Sequence, residues 1–365
     1  MKKEMFDTEI TLLRDTFRRL LRRHANSNII KLIGKTHPAD MALIYRYFND
    51  EEQDTIFAMM PPSEESVEFL SELDESITVR LLDQVTPQRM ATILEEASSN
   101  EIAHLMGLVN EDYATAVIDL LQAEEQEKLE EIMAYPEDSA GILMYTDVFT
   151  LHEETKAIDA IAALQDQEEA EMVFYLYAVD TDGRLTGVVS LRNLVTTSSD
   201  TTLENIMSRR VHSVRPETDQ EEVARIVSQY NFLAVPVVDA EDQLLGIITV
   251  DDVVDIVREE ATEDFLQMVG AGKDREILLK SSWDNARMRF PWLFASWVGG
   301  ILAAFIIGAF DNILQSTIVL AAFIPVIIGM GGNIGTQSST IIVRGLATGR
   351  VGLENSVKIL LKEMR

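Results

Sequence analysis

The chain has 365 residues, 47% of them hydrophobic, which gives length for two or three domains and enough apolar content to exclude global disorder. Its 61 acidic residues against 31 basic ones leave a formal charge of -30, which argues against nucleic acid as a partner and favours cations. Cysteine is absent and the five histidines (His24, His37, His104, His152, His212) are scattered, so disulfides, thiolate sites and zinc-type clusters are excluded and any bound metal is expected to be hard and oxygen-liganded.

The start, Met1-Lys2-Lys3-Glu4, lacks the apolar segment of a secretion signal, so the polar part of the chain is expected in the cytoplasm. Residues 1–35 hold a basic amphipathic helix, with Leu12, Leu13, Phe17, Leu20 and Leu21 on one face and Arg14, Arg18, Arg19, Arg22 and Arg23 elsewhere. A helix lying on a membrane surface fits this pattern. A helix that neutralises the acidic remainder fits it more simply.

From Pro38 to Met133 the chain repeats about every 24 residues, each unit reading as two short helices. Units open at Pro38-Ala39-Asp40, Ser63-Glu64-Glu65, Pro87-Gln88-Arg89 and Asn110-Glu111-Asp112, each a polar helix start ahead of an apolar stripe. Such pairs stack into a superhelix, so an all-α solenoid is expected over residues 1–135.

A second repeat follows with a period of about 60 residues. Phe149-Thr150-Leu151-His152 matches His212-Ser213-Val214-Arg215, and Leu185-Thr186-Gly187-Val188-Val189-Ser190 matches Leu244-Leu245-Gly246-Ile247-Ile248-Thr249. Each copy reads strand, helix, strand, Asp-containing turn, strand, helix. This resembles a tandem pair of CBS modules, expected over 136–200 and 201–257, and the resemblance implies a regulatory pair with adenosine ligands in its clefts. The ribose-binding pattern of that family stands as Thr249-Val250-Asp251-Asp252 in the second copy. In the first it is Ser190-Leu191-Arg192-Asn193, with Asn in place of Asp.

A connecting helix is expected over 251–289, beginning with seven carboxylates against the single Arg258 between Asp251 and Asp264. Its apolar positions Val253, Val254, Ile256, Val257, Ala261 and Phe265 recur at helical spacing, which collects Asp252, Asp255, Glu259 and Glu263 on the other side. A face so charged needs water or a cation beside it. Gly270-Ala271-Gly272-Lys273-Asp274 lacks the spacing and the Ser/Thr of a phosphate loop, and no nucleophile–base set is present, so no enzyme activity is expected.

The region 290–365 is built for lipid. Pro291 to Phe310 is an uncharged stretch of about 20 residues, one membrane span over 291–310, and the next charge-free run could hold a second span over 316–343, interrupted by Pro325 and glycines. Arg287 and Arg289 before the first span, and Arg344, Arg350 and Lys358 after the second, put both ends of this hairpin in the cytoplasm. Gly331, Gly332, Asn333, Gly335 and Gln337 suit either a small-residue packing interface or a pore lining whose amides and carbonyls contact an ion.

Pro325-Val326-Ile327-Ile328-Gly329-Met330-Gly331-Gly332-Asn333-Ile334-Gly335-Thr336-Gln337, Pro136-Glu137-Asp138-Ser139-Ala140-Gly141 and Glu260-Ala261-Thr262-Glu263-Asp264, in this domain order, resemble the MgtE family of magnesium channels and transporters. The resemblance implies a homodimer in the cell's inner (plasma) membrane, multi-pass, whose cytosolic acidic domains bind Mg2+ and close the pore when intracellular Mg2+ is high. It places the sensor carboxylates at Glu68, Asp219, Glu221, Asp252, Asp255, Glu260, Glu263 and Asp264, the pore lining at the glycine-rich segment, and ATP near Tyr175, Arg192 and Phe232. Asn100, His104 and Asn231 stand where the family carries acids. Members have five membrane helices. This chain ends near where the third would begin, so a truncated product, or a separate chain supplying the missing spans, is expected, with no conduction by this chain alone. The other reading is a membrane-anchored CBS regulatory protein that senses nucleotide or divalent cation and acts on a partner chain.

Overall fold

The computed structural model describes residues 2–136, 138–166, 175–268 and 282–347. Glu137 of the junction motif, the Gly270–Asp274 segment, Arg350 and Lys358 lie outside the described residues. The chain divides into two compact units, Met1–Ile256 and Val257–Arg365.

The first unit opens with α1 (Lys2–Arg22) and α2 (Asn26–Ile33), followed by the paired helices α3 (Pro38–Tyr45) and α4 (Asp50–Ala58), α5 (Glu64–Ser71) and α6 (Glu75–Leu82), α7 (Pro87–Leu94) and α8 (Ser99–Gly107), and α9 (Glu111–Ile118) and α10 (Ala123–Met133). Side chains cap the expected starts at Pro87 and Asn110, whereas Ser63 makes no cap bond ahead of α5. Thr86 accepts from Arg89 N at 3.4 Å ahead of Pro87, and Asn110 accepts from Tyr113 N at 2.9 Å. Asn49 with Glu52 closes a full capping box at the inner helix of the first pair. One continuous core runs through the pairs, with Tyr45, Phe69, Leu82, Ile102 and Leu129 within 1% of full burial. Tyr45 Oη donates to Gln53 O at 2.5 Å and Gln53 Nε2 donates to Tyr45 O at 2.9 Å, so the buried polar groups of α3 and α4 satisfy each other.

α1 belongs to this core. Phe17 is fully buried, Leu13, Leu20 and Leu21 pack beside it, and Arg18 donates to Tyr47 O at 2.5 Å. Most of the apolar face that a membrane-surface helix would need is therefore covered by protein, with Leu12 left 64% exposed, while Arg14 and Arg18 lie over the Tyr47 and Phe48 rings of the next pair.

After α11 (Ala140–Leu143), the first CBS copy comprises β1 (Thr150–His152), α12 (Ala157–Gln165), β2 (Tyr175–Val179), β3 (Leu185–Ser190) and α13 (Leu191–Thr196). The second comprises α14 (Gln220–Tyr230), β4 (Ala234–Val238), β5 (Leu244–Thr249) and α15 (Val250–Met268). β1 pairs parallel with β2, and β2 antiparallel with β3. β4 pairs antiparallel with β5, and a parallel bridge from Val214 to Val237 stands where β1 stands in the first copy. The repeated turns share one hydrogen-bond pattern. Asp180 Oδ1 accepts from Asp182 N and Arg184 N at 2.8 and 2.9 Å, and Asp239 Oδ1 from Glu241 N and Gln243 N at 3.0 and 2.7 Å.

Each copy is completed by the segment that precedes the other. Ala140 and Met144 lie in the core of the second copy, and Tyr145 pairs with Ile247 through both backbone groups, at 2.8 and 2.9 Å. Leu203 lies in the core of the first copy, and Ser208 pairs with Val188.

In the second unit, α16 (Ser282–Ala309) carries Pro291 inside it, α17 (Asp311–Ser316) is short, and α18 runs over Ile324–Ala347. The helix expected over 316–343 begins eight residues late, because Ile318–Phe323 form a 3-10 helix and Pro325 sits in the first turn of α18, where its missing N–H costs nothing. Proline thus starts this helix instead of interrupting it. Among the described residues, one helix, over Asn285–Ala309, is long and apolar enough to cross a membrane.

Candidate functional site

α15 is the element on which most of the expected ion ligands sit. Val253 and Ile256, three residues apart, are buried in the core of the second CBS copy. The remaining apolar positions do not share that side: Val254, Val257 and Phe265 are 48%, 46% and 59% exposed. With Ala261 they recur at steps of three and four residues, forming a second stripe that is exposed among the described residues. The sequence pattern read one apolar face where there are two, because helical spacing alone does not reveal where a tertiary partner ends.

Asp255, Glu260, Glu263 and Asp264 lie beyond or around this root. Burial raises the Asp264 carboxyl above its ordinary value, and Glu263 beside it adds to the effect. Asp252 behaves differently from its neighbours. Its Oδ2 accepts from Thr249 Oγ1 at 2.6 Å and Thr249 N at 3.3 Å, a cap on the first turn of α15, and its Oδ1 accepts from Tyr145 Oη at 3.3 Å. Burial raises this carboxyl too, against the pull of those hydrogen bonds. A raised acid pKa means that the folded state holds the proton more tightly than the unfolded chain. The contribution to stability is therefore largest below the ordinary carboxylate range and is lost as pH rises through the raised value. Asp252→Asn keeps an acceptor for Tyr145 and removes the buried charge, so relative to wild type it is expected to be more stable at neutral pH, with the difference vanishing on acidification. Thermal melts of both proteins across pH 4–8 (roughly the range in which such a group titrates) check this. A difference that grows on acidification would refute it.

The other expected ligands lie elsewhere. Glu68, on α5, stands 3.9 Å from His37 Nδ1, and burial raises its carboxyl, opposed by His37 and reinforced by Glu72, Glu64 and Glu101. Asp219 caps α14 by accepting from Glu221 N at 2.8 Å, and its backbone pairs with Ser139. Among the described residues no three His, Asp or Glu side chains come together closely enough to hold a metal ion. The acids are presented on separate elements of one chain.

The expected nucleotide residues are set on the two copies. Tyr175 begins β2 opposite Ser190, Arg192 is exposed on α13, and Phe232 follows α14 after Asn231, whose φ of 55° ends the helix in the left-handed region. Phe232 stacks at 5.3 Å on Tyr230, which stacks at 4.2 Å on His212. His212 and Tyr230 were not singled out in the sequence for this role. The first copy's Asn193 donates its backbone N–H to Ser190 Oγ at 3.2 Å, whereas in the second copy the Asp252 side chain makes the corresponding contact with Thr249.

On α18, a Cβ added at Gly331, Gly332 or Gly335 would meet nothing within 4 Å, so no described part of the chain packs on these glycines. Thr336 Oγ1 and Thr340 Oγ1 donate to the carbonyls of Gly332 and Thr336 at 3.1 and 2.9 Å, which satisfies these hydroxyls inside the helix.

A capped helical solenoid, a CBS pair with exchanged segments, an acidic helix and a membrane-length apolar helix define a multidomain membrane protein with a CBS-containing polar region. Residues 36–138 match the MgtE intracellular N domain, residues 140–200 and 203–259 the CBS domain, and residues 324–365 the divalent cation transporter domain of MgtE. The magnesium transporter MgtE of Bacillus subtilis is 30% identical over 95% of this chain and 76% of its own length. That of Thermus thermophilus is 34% identical over 92% of this chain and 75% of its own length. The chain belongs to the MgtE family of magnesium transporters. Among solved structures, the soluble part of a magnesium transporter superposes with a TM-score of 0.62 at 28% identity, covering 69% of this chain and 99% of that one. The cytosolic domain of the Mg2+ channel MgtE in complex with ATP superposes with a TM-score of 0.63 at 32% identity, covering 67% and 99%.

Proposed function

We propose that this chain takes part in magnesium transport across a membrane and that α15 is its ion-responsive element, closing the pathway when cytosolic Mg2+ is high. The observation that carries the reading is the acidic run of α15, anchored at one end by Val253 and Ile256 in the second CBS copy and presenting Asp255, Glu259, Glu260, Glu263 and Asp264 along its length. Carboxylates crowded on one helix repel one another, and a hard divalent cation with oxygen ligands reverses that sign. The open stripe Val254, Val257, Ala261 and Phe265 suits a second copy of the chain, which would bring two acidic faces together in a homodimer. ATP fits the CBS cleft by chemistry: Tyr175 and the stacked Phe232 offer base-stacking faces, and Arg192 offers a guanidinium to phosphate. The pathway itself is read at the polar run of α18, with Gly331, Gly332, Asn333, Gly335 and Gln337 lining it.

Limited proteolysis at Arg258 tests the ion-responsive element. Millimolar Mg2+ is expected to slow cleavage by about tenfold, a factor worth about 1.4 kcal/mol. The Asp255→Ala/Glu260→Ala/Glu263→Ala variant is expected to cleave at the same rate with and without the ion. Equal cleavage of the wild-type protein in Mg2+ and in EDTA would sink the reading.

A further inference from the structure

Between residues 14 and 35 the chain carries seven Lys and Arg against the single acid Asp15, a local charge of +6 in a chain of -30. This segment, the end of α1 and all of α2, lies ahead of the residues that match the MgtE intracellular N domain. Its arginines fall into two sets. Arg14 is tied to Asp15 at 2.8 Å and lies 5.7 Å over the Tyr47 ring, and Arg18 donates to Tyr47 O and lies 5.9 Å over the Phe48 ring. These two are fixed against the next helix pair. Arg19, Arg22 and Arg23 are exposed, and among the described residues their side chains form no ion pair. A helix that only neutralised the acidic remainder would direct these charges at carboxylates of its own chain.

One cation at the end of α1 would answer the helix dipole, but Arg18 and Arg22, and Arg19 and Arg23, stand four residues apart and repel each other. An external anion relieves that repulsion. Arg18, Arg19, Arg22 and Arg23, with Asp15, line an open recess of about 460 Å3. Leu12, 64% exposed, stands two turns before Arg19 on the same side of α1, and Tyr47 is 50% exposed beside Arg14 and Arg18.

Guanidinium groups so placed suit phosphate oxygens. The apolar neighbours separate a bilayer from a soluble phosphate: a headgroup layer offers anions with acyl chains beneath them, which Leu12 can reach, and it is where tyrosine rings settle. The same chain carries the membrane-length helix α16, which holds a bilayer at high effective concentration. The rest of the chain holds the whole net negative charge and is repelled by an anionic surface, which restricts contact to this end.

We propose that Arg19, Arg22 and Arg23, with Arg18 fixed beside them, dock the start of the solenoid on the anionic phosphate headgroups of a bilayer, with Leu12 and Tyr47 as shallow apolar contacts. This contact is separate from the ion-responsive reading of α15 and does not depend on it.

The absence of native cysteines allows a donor dye at the exposed position Ser27→Cys on α2, in the full chain reconstituted into nanodiscs whose headgroups carry an acceptor. All measurements are made in EDTA, so the response of α15 to Mg2+ is not sampled. Energy transfer is expected to be higher in discs containing phosphatidylglycerol than in discs of phosphatidylcholine alone, and to fall to the neutral level in about 0.5 M NaCl, where screening is nearly complete beyond a few ångströms. Arg19→Gln/Arg22→Gln/Arg23→Gln is expected to lower the docked-to-undocked ratio roughly hundredfold, about fivefold for each arginine near the surface. Arg19→Lys/Arg22→Lys/Arg23→Lys keeps the charge and is expected to stay docked. Thermal melts matching wild type confirm that both variants fold. Equal transfer in neutral and anionic discs would overturn the proposal, as would a glutamine variant docked like wild type or a lysine variant that fails to dock. A tripolyphosphate site seen by calorimetry in neutral discs, lost in the glutamine variant and accompanied by no effect of lipid charge, would overturn it in favour of a soluble phosphate ligand. Proteolysis at Arg258 reports on the ion response separately, so the two readings fail by different measurements.

Discussion

Phe69→Ala is expected to lower the unfolding free energy by about 3–5 kcal/mol, the range for deleting a buried aromatic side chain. Phe69 is 1% exposed on α5, and its ring meets Tyr45 edge-on with centroids 5.0 Å apart. Tyr45 in turn is locked to Gln53 of α4 by the two reciprocal hydrogen bonds, so the cavity opens beside polar groups that must stay paired. In a solenoid each repeat is stabilised mainly by its neighbours, so the loss is expected to weaken the helix pairs on either side as well. Denaturant unfolding of the full chain in detergent measures the effect. Leu12→Ala, at a position 64% exposed on α1, serves as the comparison and is expected to change stability by less than about 0.5 kcal/mol. A Phe69→Ala loss below about 1 kcal/mol would contradict the packing described.

Gly246→Ala is expected to cost about 2–3 kcal/mol, at the upper end for overpacking a close-packed site. The added methyl would stand 2.6 Å from the carbonyl oxygen of Tyr145 and 2.9 and 3.0 Å from Met144 Cγ and Cβ. A flexible side chain could move aside, but the nearest atom is backbone already committed to a hydrogen bond from Ile247 N. Relief therefore requires the segment carrying Tyr145 to peel from β5. The expected result is a lower melting temperature, and a variant that melts as wild type would show that the segment can shift freely. By contrast, a Cβ at Gly107 meets nothing within 4 Å, and Gly107→Ala at the end of α8 is a suitable control.

Much of the fold was legible because local chemistry and global structure agree. The capping residues Thr86 and Asn110 and the helix-starting Pro38 and Pro87 announce the solenoid units, and the Asp180 and Asp239 turns announce the two CBS copies, since each signal acts within a few residues of itself. Of the candidate site, the acidic run of α15 was visible in the same way, as was the membrane-length apolar run of α16. The start of α18 was less so. Pro325 reads as a break in an apolar run, and only the preceding 3-10 turn shows that it begins the helix.

By itself, the sequence determined the order of the parts, their repeats, the acidic character of α15 and membership of a magnesium-transporter family, because composition, period and capping are properties of neighbouring residues. Only the tertiary structure decided that α1 gives Phe17 to the solenoid core, that the segments around Met144 and Leu203 cross into each other's CBS copy, and that the apolar positions of α15 divide into a packed side and an open one. It also decided the role of Asp252. As one acid in a run of seven it looks like its neighbours, but Tyr145 reaches it from 107 residues away, and no local pattern encodes a contact made at that separation.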